Sequence, residues 1–248
     1  MRAVMRAIFE AKRTYANLPL FEFMRDDSMT PRERLSFYPC MAPFILAFGD
    51  LNKYVMRDEK STDRHQLMVN AHTYEDDHHW PWYLEDYTTL GFDQAKPTTA
   101  VLHSLYSDRT KVNRMLSAQL AHLLYDATPV ERLVIIEAIE ETGNVLFALT
   151  ARLARAIEQE ESVSLRYLGD FHFNLETGHS MGHDDHRELA EIALDAGQRE
   201  RCIKLVAEVF HLFKNWTNEL LAYAIGELIH PQTKSHSVSA YMAQLEGA

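Results

Sequence analysis

Apolar positions recur every three to four residues along most of this chain, the period of helices that bury one face. Strand signals, the period-two alternation of apolar and polar residues, are missing. The pattern predicts helices over residues 2–16, 31–57, 62–90, 98–125, 129–159, 163–181 and 185–229, the last broken near Gly197. Two helix starts are marked by chemistry. Thr30-Pro31-Arg32-Glu33 and Thr128-Pro129-Val130-Glu131 each read as a capping box with proline at the first helical position. Breakers place loops at Asp26-Asp27-Ser28, at 91–97 and at His230-Pro231. Pro81 has no N–H to donate to the Asp77 carbonyl, so the third helix is expected to kink there. Glycine is scarce and no Gly-, Pro- or Ser-rich linker divides the chain. The expectation is an all-α single-domain bundle of seven helices over 1–230, followed by a polar tail at 231–248.

Composition narrows the function classes. With 248 residues, 46% apolar and 25% charged, the chain can bury a sizeable core. Thirty-six acids against 25 bases give a net charge of −11 with no basic block, which argues against nucleic acid or an anionic membrane surface as partner. No apolar run reaches the roughly 18 residues of a membrane span. The amphipathic N-terminus lacks the apolar stretch of a signal peptide. Cys40 and Cys202 are far apart and form no CxxC pair, so a reducing cytoplasm is the expected location.

Histidine distribution points to chemistry. Seven of the 13 histidines fall in two windows, at 72–79 and 172–186. In His172-Phe-Asn-Leu-Glu176-Thr-Gly-His179, a turn of ~100° per residue puts Glu176 ~40° and His179 ~20° from His172, on either side. Three polar groups on one stripe of an otherwise apolar helix need pairing or ligation. In the other window Glu75 shares a helix face with His79, or with His78 at the alternative spacing. The helix at 129–159 carries Glu137, Glu140 and Glu141 with no lysine or arginine between Arg132 and Arg152. Glu140 lies with Ile136, Gly143 and Phe147 and would need a cation if buried, whereas Glu137 and Glu141 read as solvated. Glu75, His78 or His79, Glu140, His172, Glu176 and His179 together offer three carboxylates and three imidazoles. Helical bundles hold di-iron and di-manganese centres with inward Glu and Glu-x-x-His groups, and both Glu75-x-x-His78 and Glu176-x-x-His179 have that spacing. Nitrogen and oxygen ligands suit Fe, Mn or Zn. His103, His122 and His211 read as ordinary surface or core residues, and His183, His186, Asp184 and Asp185 as capping groups.

These segments resemble the heme-oxygenase-like di-iron oxidases over most of the chain. The stretch Phe21-Glu-Phe-Met-Arg-Asp-Asp-Ser-Met-Thr-Pro-Arg-Glu-Arg-Leu35 is similar to that family's entry into its second helix. Residues 70–91, with the Glu75–His79 cluster and Tyr87-Thr-Thr-Leu-Gly91, resemble its first ligand helix. His172-x3-Glu176-x2-His179 resembles its second ligand motif. The resemblance implies a seven-helix bundle holding two Fe2+ ions, with O2 as co-substrate. The implied metal ligands are Glu75, His79, Glu140, His172, Glu176 and His179, with Glu140 and Glu176 as catalytic carboxylates. It implies oxidation of a small-molecule substrate, foremost an amino acid or derived amine, including nitrile formation from a tryptophan-type amino acid. Fatty-acid oxidative decarboxylation or desaturation, and a non-catalytic metal-binding protein, are the alternatives. An electron donor and a homodimer are further partners the resemblance allows. Heme ligation from near the N-terminus does not fit, since no histidine precedes His65. Cys40, in the apolar Tyr38-Pro39-Cys40-Met41 setting, reads as a core residue rather than a nucleophile.

Overall fold

The computed structural model describes residues 1–179 and 189–229, and of 176–179 the backbone alone. Among these residues every regular element is helical and no strand occurs. In chain order they are α1 (Arg2–Tyr15), α2 (Pro19–Arg25), α3 (Pro31–Arg34), α4 (Ala42–Leu51), α5 (Arg64–Asp76), α6 (Trp80–Thr89), α7 (Thr98–Leu105), α8 (Lys111–Tyr125), α9 (Pro129–Glu161), α10 (Asp170–His179) and α11 (Ala196–Ile229). Short 3₁₀ turns at Tyr38–Met41 and Asp108–Thr110 and a π-helical stretch at Asn52–Met56 join them.

The 33-residue α9 is the axis of the molecule, packing against α1, α5, α10 and α11. A helix enclosed on several sides is apolar around most of its circumference, and all of 133–139 in α9 is buried. Both capping boxes form as expected. The one at Thr128 also links elements, because Arg201 of α11 donates to Glu131 Oε1 at 2.9 Å.

Several expected long helices are segmented, each for a local reason. Prolines 39 and 43 each open a new element, dividing the expected 31–57 helix. The 62–90 helix does not bend at Pro81; it stops at Asp76 and restarts at Trp80 with Pro81 in the new first turn. Arg57 secures the break, donating to Thr73 O at 2.9 Å and to Asp77 Oδ2 at 2.6 Å. A Cβ on Gly49 would sit 2.9 Å from the Asp77 carbonyl, so α4 can approach the break this closely only with glycine there. The 98–125 helix is interrupted at 106–110, where Arg114 satisfies the Leu105 and Ser107 carbonyls at 2.8 and 2.7 Å. Residues 163–169 precede α10 as a turn rather than as its first turns. The 185–229 helix runs from Ala196, with Gly197 in its first turn. α2 is an additional helix. The polar tail at 231–248 lies outside the described residues.

Tyr38 and Tyr83 fix α6 against the core by reciprocal bonds, each hydroxyl donating to the other's carbonyl at 2.9 and 2.8 Å. That contact, the break after Asp76 and the axis helix α9 set the geometry of the candidate site.

Candidate metal centre

α5 presents His72 and Asp76, four residues apart and therefore on one face, toward α9. His72 Nε2 lies 2.9 Å from Asp76 Oδ2 and 3.4 Å from Glu140 Oε1 on α9. One ligand atom from each of the three falls within 4.8 Å of the others. An ion held ~2.1 Å from its ligands sets them about 3 Å apart, so this trio fits a small divalent cation of the Fe, Mn or Zn type. Burial opposes protonation of His72, but Asp76 and Glu140 outweigh it and hold its pKa well above the ordinary histidine value. That preference for positive charge is what a carboxylate-rich pocket exerts on any cation placed within it.

Beyond the helix break lie two more imidazoles. His79 is the cap residue of α6, and its ring stacks on Trp82 at 4.5 Å and 21°. His172, on α10, is 2% exposed and presents Nε2 to His79 Nδ1 at 3.1 Å. The other ring nitrogen of His172 is 2.9 Å from the Tyr167 carbonyl. A carbonyl only accepts, so Nδ1 carries the proton and Nε2 keeps its lone pair, accepting from His79 Nδ1. A backbone carbonyl holding Nδ1–H while Nε2 points inward is the usual orientation of a metal-binding histidine. Phe147 meets the His172 ring edge-on at 4.3 Å.

Asp76, Glu140, His79 and His172 all line one cavity of about 70 Å³. This is room for several water-sized groups. Its remaining walls are mostly apolar, with Phe44, Phe48, Leu146, Phe213 and Trp216 among them, and no lysine or arginine is present among the described lining residues.

The sequence-derived ligand set is therefore partly rearranged. His79, Glu140 and His172 line the same cavity. Glu75 does not, because it faces solvent and its neighbour Asp76 takes the inward position. The expected pairing of Glu75 with His79 on one face assumed an unbroken helix, and α5 ends between them. His78 is exposed, so His79 is the inward histidine of the pair. Glu137 and Glu141 are buried rather than solvated. Glu141 pairs with Lys12 of α1. Burial pushes Glu137 up to about 7, reinforced by Glu141 and opposed by His72 and Lys12. The side chains of Glu176 and His179 lie outside the described residues, although α10 carries both positions. The same holds for His183, Asp184, Asp185 and His186. Cys40 is buried with its thiol pKa pushed up by that burial, in keeping with a core role.

His72 and Asp76 were missed from sequence. Their signal was present: His72-x3-Asp76-x2-His79 repeats the spacing of His172-x3-Glu176-x2-His179. No family model matches this chain, and no curated protein matches it.

Proposed function

We propose that this chain is a metal-dependent, O2-using oxidoreductase of the heme-oxygenase-like di-iron type, acting on a small substrate with an apolar body. The observation that carries the reading is the meeting of His72, Asp76 and Glu140, two of which, Asp76 and Glu140, line one cavity with His79 and His172. His72, Asp76, Glu140, His79 and His172 would hold the ions. Two ferrous ions held there would supply electrons and open coordination positions for reducing O2 against an oxidisable substrate bond.

The protein's own contributions follow from the geometry. The Tyr167 carbonyl keeps the His172 proton on Nδ1, so the Nε2 lone pair, which here accepts from His79 Nδ1, is the one that would turn to an ion. Asp76 and Glu140 balance cationic charge that the surrounding apolar walls could not solvate. Phe44, Phe48, Phe213 and Trp216 exclude water and offer an aromatic or alkyl group a complementary surface. Such walls suit the side chain of an aromatic amino acid, the nitrile-forming case, and equally a hydrocarbon chain. The shortage of cations in the described lining favours substrates recognised through their apolar part.

A second reading is a polar network that closes on itself without a metal. The 2.9 Å pairing of His72 with Asp76 and the 3.1 Å bond between His79 and His172 favour it. Anaerobic titration with Fe(II) separates the two. The oxidase reading expects about two ions per chain, followed by substrate-dependent O2 uptake with a panel of amino acids, amines and fatty acids. A folded protein that binds no iron supports the closed network and sinks the oxidase.

A further inference from the structure

We propose that Asp86 is the positioning residue for His172: it holds the turn whose Tyr167 carbonyl fixes that imidazole. The inference rests on the reading of His172 as part of the centre, and adds a residue that does not touch the cavity.

Asp86 is 1% exposed and belongs to α6. Its carboxylate accepts from three successive backbone amides: Arg166 N at 2.7 Å on Oδ1, and Tyr167 N at 2.9 Å and Leu168 N at 2.8 Å on Oδ2. Three consecutive N–H groups converging on one buried anion leave the 166–168 backbone a single arrangement. The carbonyl of the middle residue receives His172 Nδ1–H at 2.9 Å, and the Tyr167 ring packs on the His172 ring at 4.6 Å. The path from α6 to His172 is thus one carboxylate, one peptide and one hydrogen bond.

The same helix also sets the other imidazole. His79 stands at the N-cap position of α6, and Trp82, one turn before Asp86, stacks on its ring. α6 therefore fixes His79 through its start and His172 through Asp86. The 3.1 Å register between the two rings becomes a property of one helix. This also explains why the chain at 166–168 is a turn and not an extension of α10: those three amides are taken by Asp86, while the Leu165 amide goes to Glu158 Oε1 at 2.8 Å.

Asp86→Asn preserves size but replaces one acceptor oxygen with an NH2 group facing backbone donors. In the metal-free protein, long-range proton–nitrogen spectra of the histidine rings, assigned with His172→Gln, should show His172 as the Nδ1–H tautomer. Asp86→Asn should convert it to a mixture, while Glu85→Gln, an exposed neighbour, should not. Co(II) affinity should fall by about 10- to 100-fold in Asp86→Asn, and Asp86→Glu should recover part of the loss. A folded Asp86→Asn with the wild-type His172 spectrum overturns the proposal.

If Asp86→Asn does not fold, hydrogen exchange on the wild type decides. The amides of 166, 167 and 168 should exchange slowly and in step with the His172 Nδ1 proton. Fast exchange at 166–168 beside a retained His172 proton overturns the coupling. A wild type that binds no Co(II), yet loses the His172 tautomer in Asp86→Asn, contradicts the metal reading and leaves this proposal standing.

Discussion

At residue scale, the inward position on α5 belongs to Asp76 and not to Glu75. The expected outcome is that Asp76→Ala or His72→Ala removes at least ten-fold in Fe(II) affinity, while Glu75→Ala changes it little. Reversal of that order in a titration would return the ligand role to Glu75. A second residue-scale consequence concerns Glu137. Its folded pKa of about 7 stands above an unfolded value of ~4.3, so the folded state holds its proton more tightly. Stability from this group is then present at low pH and falls as pH rises from ~4 to ~7, by on the order of 3 kcal/mol. The groups facing it are Glu141, which deepens the effect, and His72 and Lys12, which oppose it. The stability gap between Glu137→Gln and the metal-free wild type should therefore widen in the variant's favour from pH 5 to pH 8. Denaturant melts at the two pH values check this. The histidine spacing shows what was legible here. The stripe at 172–179 was evident because its neighbours are apolar, whereas the same spacing at 72–79 was hidden by Glu75, Asp77 and His78 in the same window.

At element scale, two glycines make opposite demands. Gly49 lies against the Asp77 carbonyl, and a methyl group there must displace α4 from the break between α5 and α6. Gly49→Ala should cost about 1–3 kcal/mol in a melt. Gly143, within α9 and on the cavity wall, would place its new methyl only 3.5 Å from the Phe147 ring, an ordinary contact. Gly143→Ala should raise stability by about 0.5–1 kcal/mol, while narrowing the cavity beside Glu140 and shifting the substrates accepted toward smaller ones. A loss of stability in Gly143→Ala would show that the wall is already close-packed. Most helix positions were legible from period and caps, and α1 and α9 match closely. The divisions were less so. Proline signals a bend but not whether the chain bends or stops, and here Arg57 and Gly49 make it stop. The turn before α10 depends on Asp86, which is 80 residues from the Arg166 amide it holds, and no local pattern carries that information.

At the scale of the whole molecule, an apolar bundle built around α9 encloses a small group of carboxylates and imidazoles. None of the described helices is long and apolar enough to cross a membrane. Both cysteines are buried in this bundle, with thiol pKa values raised by burial. Thiol-directed alkylation at pH 8 should therefore be slow in the native protein and rapid once denaturant opens it; fast native labelling of Cys40 would revise its core placement. Bound metal should stabilise the fold as a whole, because a ligand that binds only the folded state raises its stability with concentration. The four described cavity residues that would hold it, Asp76, Glu140, His172 and His79, come from α5, α9, α10 and the cap of α6, so a bound ion would tie four elements together.

The most direct measurement is the number of Fe(II) ions bound per chain under anaerobic conditions, in the wild type and in Asp76→Ala. About two ions in the wild type, a deficit in Asp76→Ala and unchanged helical content in both are the expected result. A folded wild type that takes up no iron, or an Asp76→Ala protein that binds it as well as the wild type, would contradict the assignment of this cavity as a metal centre.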